Sequence, residues 1–300
     1  MSRASGALPE TGYYVSRSDA GDHLVIDGGP HGYQNAGHAH ADALSLTFTI
    51  QGIPFLIDPG TACYTTDPEL RDRLRSSAMH NTVTIDGRSQ SLPRGPFHWT
   101  HAADARVNRW ATEEDFDLFD GAHDGYAPIE HRRRVLARHG DLLVVADFVN
   151  ADGRHAAAAH WHLDPRWTAY LHGRDVICRA GDTRIALVVC DGSVELFHAD
   201  ERVHLGWYSP AYGRLEPTTT IRVTREAEGP FRIATVFGLD AANAIAGVEW
   251  IDDRTLCITR ARSTDAVAFA ETDARKLFRR QPNDRRPTTK DDLCAVSQVS

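Results

Sequence analysis

Two histidines, His38 and His40, flank one alanine and are followed by Asp42; Asp58 and His80 come further along the chain. His40, Asp58 and His80 make a set of two imidazoles and one carboxylate. Neutral imidazole nitrogen and carboxylate oxygen suit Zn²⁺, with a fourth position left to water or another group. The same residues have a plainer reading, as polar groups at strand ends that satisfy loop backbone. Spacing alone leaves both open. In an extended segment the rings of His38 and His40 project to one side. With His40 on a metal, His38 is left for proton transfer, its ordinary pKa lying near the working range; a solvated loop histidine is the alternative. Arg71, Arg73 and Arg75 follow in a charged segment. A guanidinium pairs bidentately with carboxylates, so Arg75 is a candidate for holding an acidic substrate, against the reading of a solvated turn.

The elements that must position these residues read as strands. From residue 38 to 50 the even positions run His, His, Asp, Leu, Leu, Phe, Ile, while the odd ones are Ala, Ser and Thr. Such alternation is a strand signature, with the apolar half buried and the His/Asp half where the strand begins or the loop enters it. A second run, residues 53–60, follows the turn pair Gln51-Gly52, and a third covers 80–87. In a tight hairpin at Gln51-Gly52, Asp58 falls opposite Ser45 and faces away from His40. The metal reading therefore requires a bulge, or a loop at 38–42 that folds over the strand end.

Beyond residue 102 short alternating runs recur. Asp-Gly pairs at Asp86-Gly87, Asp120-Gly121, Asp124-Gly125, Asp152-Gly153 and Asp191-Gly192 suit hairpins. Long stretches of 3.6-residue period are missing, so the expectation is all-β, a large antiparallel β-sandwich over residues 1–274 with a polar tail at 275–300. His131-Arg132-Arg133-Arg134 would be split over two strand faces and reads as structural; His160-Trp161-His162 reads as packing.

Composition narrows the function. At 300 residues, 42% hydrophobic and 25% charged, the chain is globular. A formal charge of -8 without a long basic run argues against nucleic acid as a partner. Cys63, Cys178, Cys190, Cys257 and Cys294 form no CxxC pair, against a disulfide framework or a cysteine zinc site. No signal pattern opens the chain and no apolar run reaches membrane-spanning length; the signal of an exported parent would lie outside this stretch.

Gly32, five residues on, His38-x-His40 matches the opening of the cupin metal pattern. That pattern next requires a Glu where Leu44 and Ser45 stand, and the match ends there. Three blocks taken together resemble the heparinase II/III-like family of polysaccharide lyases: residues 38–45 (HAHADALS), 52–61 (Gly52-x-Pro54-x-Leu56-x-Asp58-Pro59-Gly60-Thr61) and 80–90 (His80-Asn81-Thr82-Val83, Asp86-Gly87, Gln90). His131-Arg132-Arg133, Asp147 and Trp161-His162 echo its later pattern. The resemblance implies a large antiparallel β-sandwich that follows a helical toroid, and β-elimination on uronic-acid polysaccharides such as heparin, heparan sulfate or alginate. It implies a cleft role for His38 and zinc ligation by His40, Asp58 and a third histidine, His80 or the nearby His98. In that family the proton-transferring tyrosine and the Asn or His that neutralises the uronate come from the helical domain, and only the sandwich is recognisable here. The expectations are a zinc-bearing C-terminal part that needs the helical domain as partner, in a periplasmic or secreted setting, or else a non-catalytic carbohydrate-binding or structural module.

Overall fold

Alternating side chains become antiparallel sheet throughout the computed structural model, which describes residues 4–283. The strands Gly6–Leu8, Tyr13–Arg17, His23–Asp27, Leu46–Ile50 and Ile53–Leu56 pair in sequence order as one meander. A four-stranded sheet runs Ser193–His198, Thr219–Glu228, Arg154–His162, Val83–Ile85. An eight-stranded sheet has Phe231–Gly238, Leu142–Asn150, Ile129–Arg138 and Phe116–Tyr126 as successive neighbours. Both smaller sheets pack on it. Tyr14 meets Phe119 at 5.3 Å between ring centroids, Phe55 meets Phe237 at 5.9 Å, and Trp161 meets Phe237 at 5.3 Å. Leu24, Phe48, Val145, Trp161, Ile221 and Phe237 belong to one buried cluster. This is the expected all-β sandwich, and each such side chain contributes about 1.5–3 kcal/mol by leaving water. Among the described residues the helices are short: Pro68–Leu74, Ala274–Leu277 and the 3-10 turns Ser77–Met79 and Ala241–Asn243. None is long and apolar enough to cross a membrane.

The two-residue turns behave as their chemistry dictates. Gln51-Gly52 (φ 50° and 80°) and Asp86-Gly87 (φ 52° and 67°) place both residues in the left-handed region. That geometry suits the tight reversals they make, Ile50 to Ile53 and Ile85 to Arg88. Asp120-Gly121 and Asp124-Gly125 do not turn; they lie inside the strand Phe116–Tyr126. Gly121 answers a need for space. A Cβ there would stand 2.8 Å from Leu44 Cδ2 and 2.7 Å from Phe119 Cζ.

The described residues divide into two compact units, one up to Leu239 and one from Asp240, whereas the sequence pattern places the division at 274. In the second unit Ile245–Trp250, Thr255–Arg260, Ser263–Ala268 and Phe278–Pro282 form a sheet of their own. The last of these strands is hidden from a hydrophobicity pattern because it is held by charge. Arg280 Nε and Nη2 donate to the buried Asp265 at 2.6 and 2.7 Å. The remainder of the expected tail, residues 284–300 with Cys294, lies outside the described residues. Cys63, Cys178, Cys190 and Cys257 are buried and not disulfide-bonded.

Candidate metal centre and its cleft

The strand expected from residue 38 begins only at Leu46. Residues 37–45 form a succession of turns, with Ala39 N–H donating to Ala36 O (3.0 Å), Ser45 N–H to Asp42 O (2.8 Å) and Leu44 N–H to Asp27 O (2.8 Å). Leu44 adopts φ 61° while fully buried. A left-handed leucine costs about 1–2 kcal/mol, so its surroundings must over-determine it, and it is wedged over Gly121. The His38–Asp42 segment is therefore a loop over the strand end.

The other alternative, a bulge, is present as well. Phe48 pairs with Leu56 but Thr49 pairs with Pro54, leaving Phe55 as an extra residue. One extra residue changes the parity of every position beyond it. Asp58 thereby comes to the side of His40 and His80. Asn81 ties the carriers together: Nδ2 donates to Leu46 O (2.8 Å) and Ile57 O (2.9 Å), and Oδ1 accepts from His162 N–H (2.7 Å). The neighbour of His80 thus holds the neighbour of Asp58 and the strand that follows the His40 loop.

His40, Asp58 and His80 each offer a ligand atom, all within 4.8 Å of one another. His80 Nδ1 lies 2.7 Å from Asp58 Oδ2, and the His40 and His80 ring centroids are 5.1 Å apart. Thr61 Oγ1 (3.2 Å) and Arg71 Nη1 (3.3 Å) lie beside His40 Nε2, and Arg71 Nη1 donates to Thr61 Oγ1 at 3.0 Å. Burial first, and then the neighbouring His80, push the pKa of His40 down to about 3, so its imidazole stays neutral. Burial opposes ionisation of Asp58, but the charge and hydrogen bond of His80 win and hold its carboxyl below the usual range. Burial likewise lowers His80, and Asp58 outweighs it, so the net shift is upward.

The donor chemistry fits Zn²⁺: two imidazoles, a carboxylate held ionised, and a neutral His40. His80 Nε2 adds an independent sign, being buried without a hydrogen-bond partner. His98, the alternative third histidine, is exposed and outside the group.

His40 and Asp58 line a cleft of about 730 Å³ together with Tyr13, Asp27, His38 and Asp42, with His80 buried behind them. His38 is exposed, its ring edge-on to Tyr64 at 5.5 Å and tilted against Phe97 at 5.8 Å. It reaches the same cleft as His40 from a turn rather than from an extended strand. Asp27 is pushed up to about 7 by burial and then by Asp42, and Asp42 is itself raised by burial. Tyr13 is raised by Asp27 and then by burial. Tyr13 and Asp27 were not singled out by sequence, because only the pairing of their strands sets them side by side.

Arg75 is not placed to hold a substrate. It is fully buried, with Nε and Nη2 donating to Asp72 Oδ1 (3.1 and 2.5 Å), Nη2 to Gly95 O (2.5 Å) and Nη1 to Pro96 O (3.3 Å). Its guanidinium also lies 4.6 Å above the Trp99 ring. Arg75 fastens the helix Pro68–Leu74 to the loop at 95–99. His160 and His162 are buried, as the packing reading expects.

Comparison with known proteins agrees with this fold. The family model described as heparinase II/III-like, C-terminal, matches residues 1–242. A heparin-sulfate lyase of Pedobacter heparinus is 26% identical over 165 residues, covering 53% of this chain and 23% of that protein. Among solved structures, heparan sulfate lyase HepC from Pedobacter heparinus superposes with a TM-score of 0.72 at 17% identity, covering 94% of this chain and 42% of the other. A heparinase III structure gives 0.73 at 15% identity, covering 88% and 42%. At these identities the structures establish the fold. The chain spans less than half the length of these solved relatives and under a quarter of the curated one. By the match over residues 1–242, the chain belongs to the heparinase II/III-like C-terminal family.

Proposed function

We propose that this chain is the zinc-bearing part of a polysaccharide lyase that cleaves an acidic, uronic-acid-containing polysaccharide by β-elimination. The observation that carries the reading is the His40–Asp58–His80 donor set, of which His40 and Asp58 share one cleft with the exposed His38. When bound, zinc supplies a positive charge beside that cleft and a crosslink between three chain segments. His38 is the residue of this chain presented for proton transfer, at the C5 proton or at the departing 4-oxygen. Tyr64 and Phe97 hold its ring by edge and tilted contacts. Exclusion of water and support of the loops come from the buried Leu44 and Asn81.

Elimination also needs the uronate carboxylate neutralised, so that the C5 proton becomes acidic. This wall of the cleft carries Asp27, Asp42 and Asp58. Of the nearby cations, Arg75 is spent on backbone carbonyls and Asp72, and Arg71 is fully buried with its Nη1 on Thr61. The neutralising group and the proton-transferring tyrosine are therefore assigned to a helical domain that partners this sandwich, and the substrate class implies a periplasmic or secreted setting. The acidic wall also favours a second reading, a non-catalytic carbohydrate-binding or structural module.

The test is formation of unsaturated uronate, read by ultraviolet absorbance, on heparan sulfate, heparin and alginate. The chain is assayed alone and joined to a helical domain of a longer relative. Product from the joined protein, abolished by His38→Ala, is the expected result. Polysaccharide binding with no product from either form would establish the second reading instead.

A further inference from the structure

Beneath the metal loops runs a line of buried polar groups that the proposed chemistry does not use. His123, His131, Arg133 and Asp147 are each at most 1% exposed. They stand on three adjacent strands, with His123 opposite His131 and Arg133 opposite Asp147. Their hydrogen bonds fix every proton. Gly125 N–H donates to His123 Nδ1 (3.1 Å), so His123 carries its proton on Nε2 and donates to His131 Nδ1 (2.9 Å). His131 in turn carries its proton on Nε2 and donates to Asp147 Oδ1 (2.8 Å). Arg133 closes the line, with Nε on Asp147 Oδ1 (2.7 Å) and Nη2 on Oδ2 (3.0 Å). Both imidazoles are thus neutral, in keeping with burial that lowers the pKa of each.

The remaining nitrogen of the fork points out of this line. Arg133 Nη1 donates to Leu44 O at 2.9 Å and to Asn81 O at 2.5 Å. The first carbonyl belongs to the loop that carries His38 and His40; the second follows His80 directly. A planar guanidinium held by two bonds to one carboxylate has its third nitrogen fixed in direction. Trp161, 5.3 Å from the guanidinium carbon, covers its face. A buried ion pair adds little net stability over a well-packed apolar substitute. What this one adds is a donor at a fixed point between two loops.

We propose that Arg133, aimed by Asp147, His131 and His123, is a positioning residue that sets the spacing of the His40 and His80 loops and so the affinity and geometry of the metal centre. The proposal rests on the metal reading above. It is tested in the full chain with Arg133→Lys and Arg133→Met. The control is Leu187→Ala, a core truncation on a strand of the same sheet that bears none of these residues, which lowers stability alone. Zinc affinity is measured by chelator competition, the ligand field by Co²⁺ absorption, and the rings of His40 and His80 by their ¹H–¹⁵N signals.

Both Arg133 variants are expected to bind zinc about 10–100-fold more weakly, the size of effect seen when groups that orient metal ligands are lost. The Co²⁺ bands should shift as well, while Leu187→Ala keeps wild-type affinity and spectrum. Wild-type affinity in Arg133→Lys, or an equal loss in Leu187→Ala, would overturn the proposal. If the wild type binds no metal, the metal reading fails, and the ring signals decide this one. Displaced His40 and His80 signals in Arg133→Lys alone support it, and unchanged signals overturn it. Should neither Arg133 variant fold, His131→Gln, which leaves the guanidinium but removes its support, is read against the same control.

Discussion

At the scale of single residues, the site separates groups that face the cleft from groups that hold it. His38 faces it, and His38→Ala in the completed enzyme is expected to lower turnover by about 10²–10⁴, the usual worth of a general acid–base group. Zinc content should stay the same. A change within about threefold in steady-state kinetics would remove His38 from the chemistry. Asn81 holds the site. Asn81→Ala leaves Leu46 O, Ile57 O and His162 N–H to find other partners. Each buried group left unsatisfied costs about 1–3 kcal/mol, so a loss of roughly 3 kcal/mol or more in urea unfolding is expected. The grouping of His40, Asp58 and His80 was suggested by donor type and by the three family-like blocks, while spacing alone left it open. Arg75 misled because the charge of an arginine is visible in sequence and its carbonyl partners, Gly95 and Pro96, are not. Asn81 gave no signal beyond its place in the His80-Asn81-Thr82-Val83 block, since a three-strand junction exists only after folding.

At the scale of elements, one inserted residue decides whether the donor set can exist. The hairpin Leu46–Ile50 to Ile53–Leu56 was readable from alternation and from Gln51-Gly52, but the bulge at Phe55 was not. A bulge leaves the apolar pattern intact, and here only the need to bring Asp58 round exposed it. Deleting Phe55 should restore the plain register and turn Asp58 from His80. The expected outcome is loss of metal uptake with the β-sheet circular dichroism retained; unchanged uptake would show that the parity argument is wrong. The start of the strand was misjudged for a related reason. His38, His40 and Asp42 keep period two by sequence, yet Leu44 at φ 61° breaks the strand behind them. The space over Gly121 and the hydrogen bonds of its backbone to Asp27 and Arg133, all distant in sequence, make that conformation tenable.

At the scale of the whole molecule, the sandwich is held by apolar layers and by a few buried ion pairs whose loss has a predictable pH signature. Asp147 is the clearest. Burial raises its pKa, but Arg133 and the His131 hydrogen bond prevail and hold it at about 2. The unfolded value is about 3.9, so the native carboxyl is depressed. Its contribution is complete above pH ~4 and is lost as pH falls from there toward ~2, on the order of 2 kcal/mol in all. Asp147→Asn should flatten that part of the acid-unfolding curve, measured by fluorescence from pH ~5 to ~2. The fold class was legible because period-two patterning spans the first unit. The boundary at Leu239 was not, because the second unit's last strand, Phe278–Pro282, carries no apolar alternation and is held through Arg280 on Asp265. The central claim, a zinc centre built from three separate segments of one sandwich, is tested most directly by metal analysis of the chain purified without chelators. About one zinc per chain, surviving dialysis and lost in His40→Ala and Asp58→Asn, is the expected result. A wild-type chain that is fully folded, free of metal and unable to take up added zinc would contradict it.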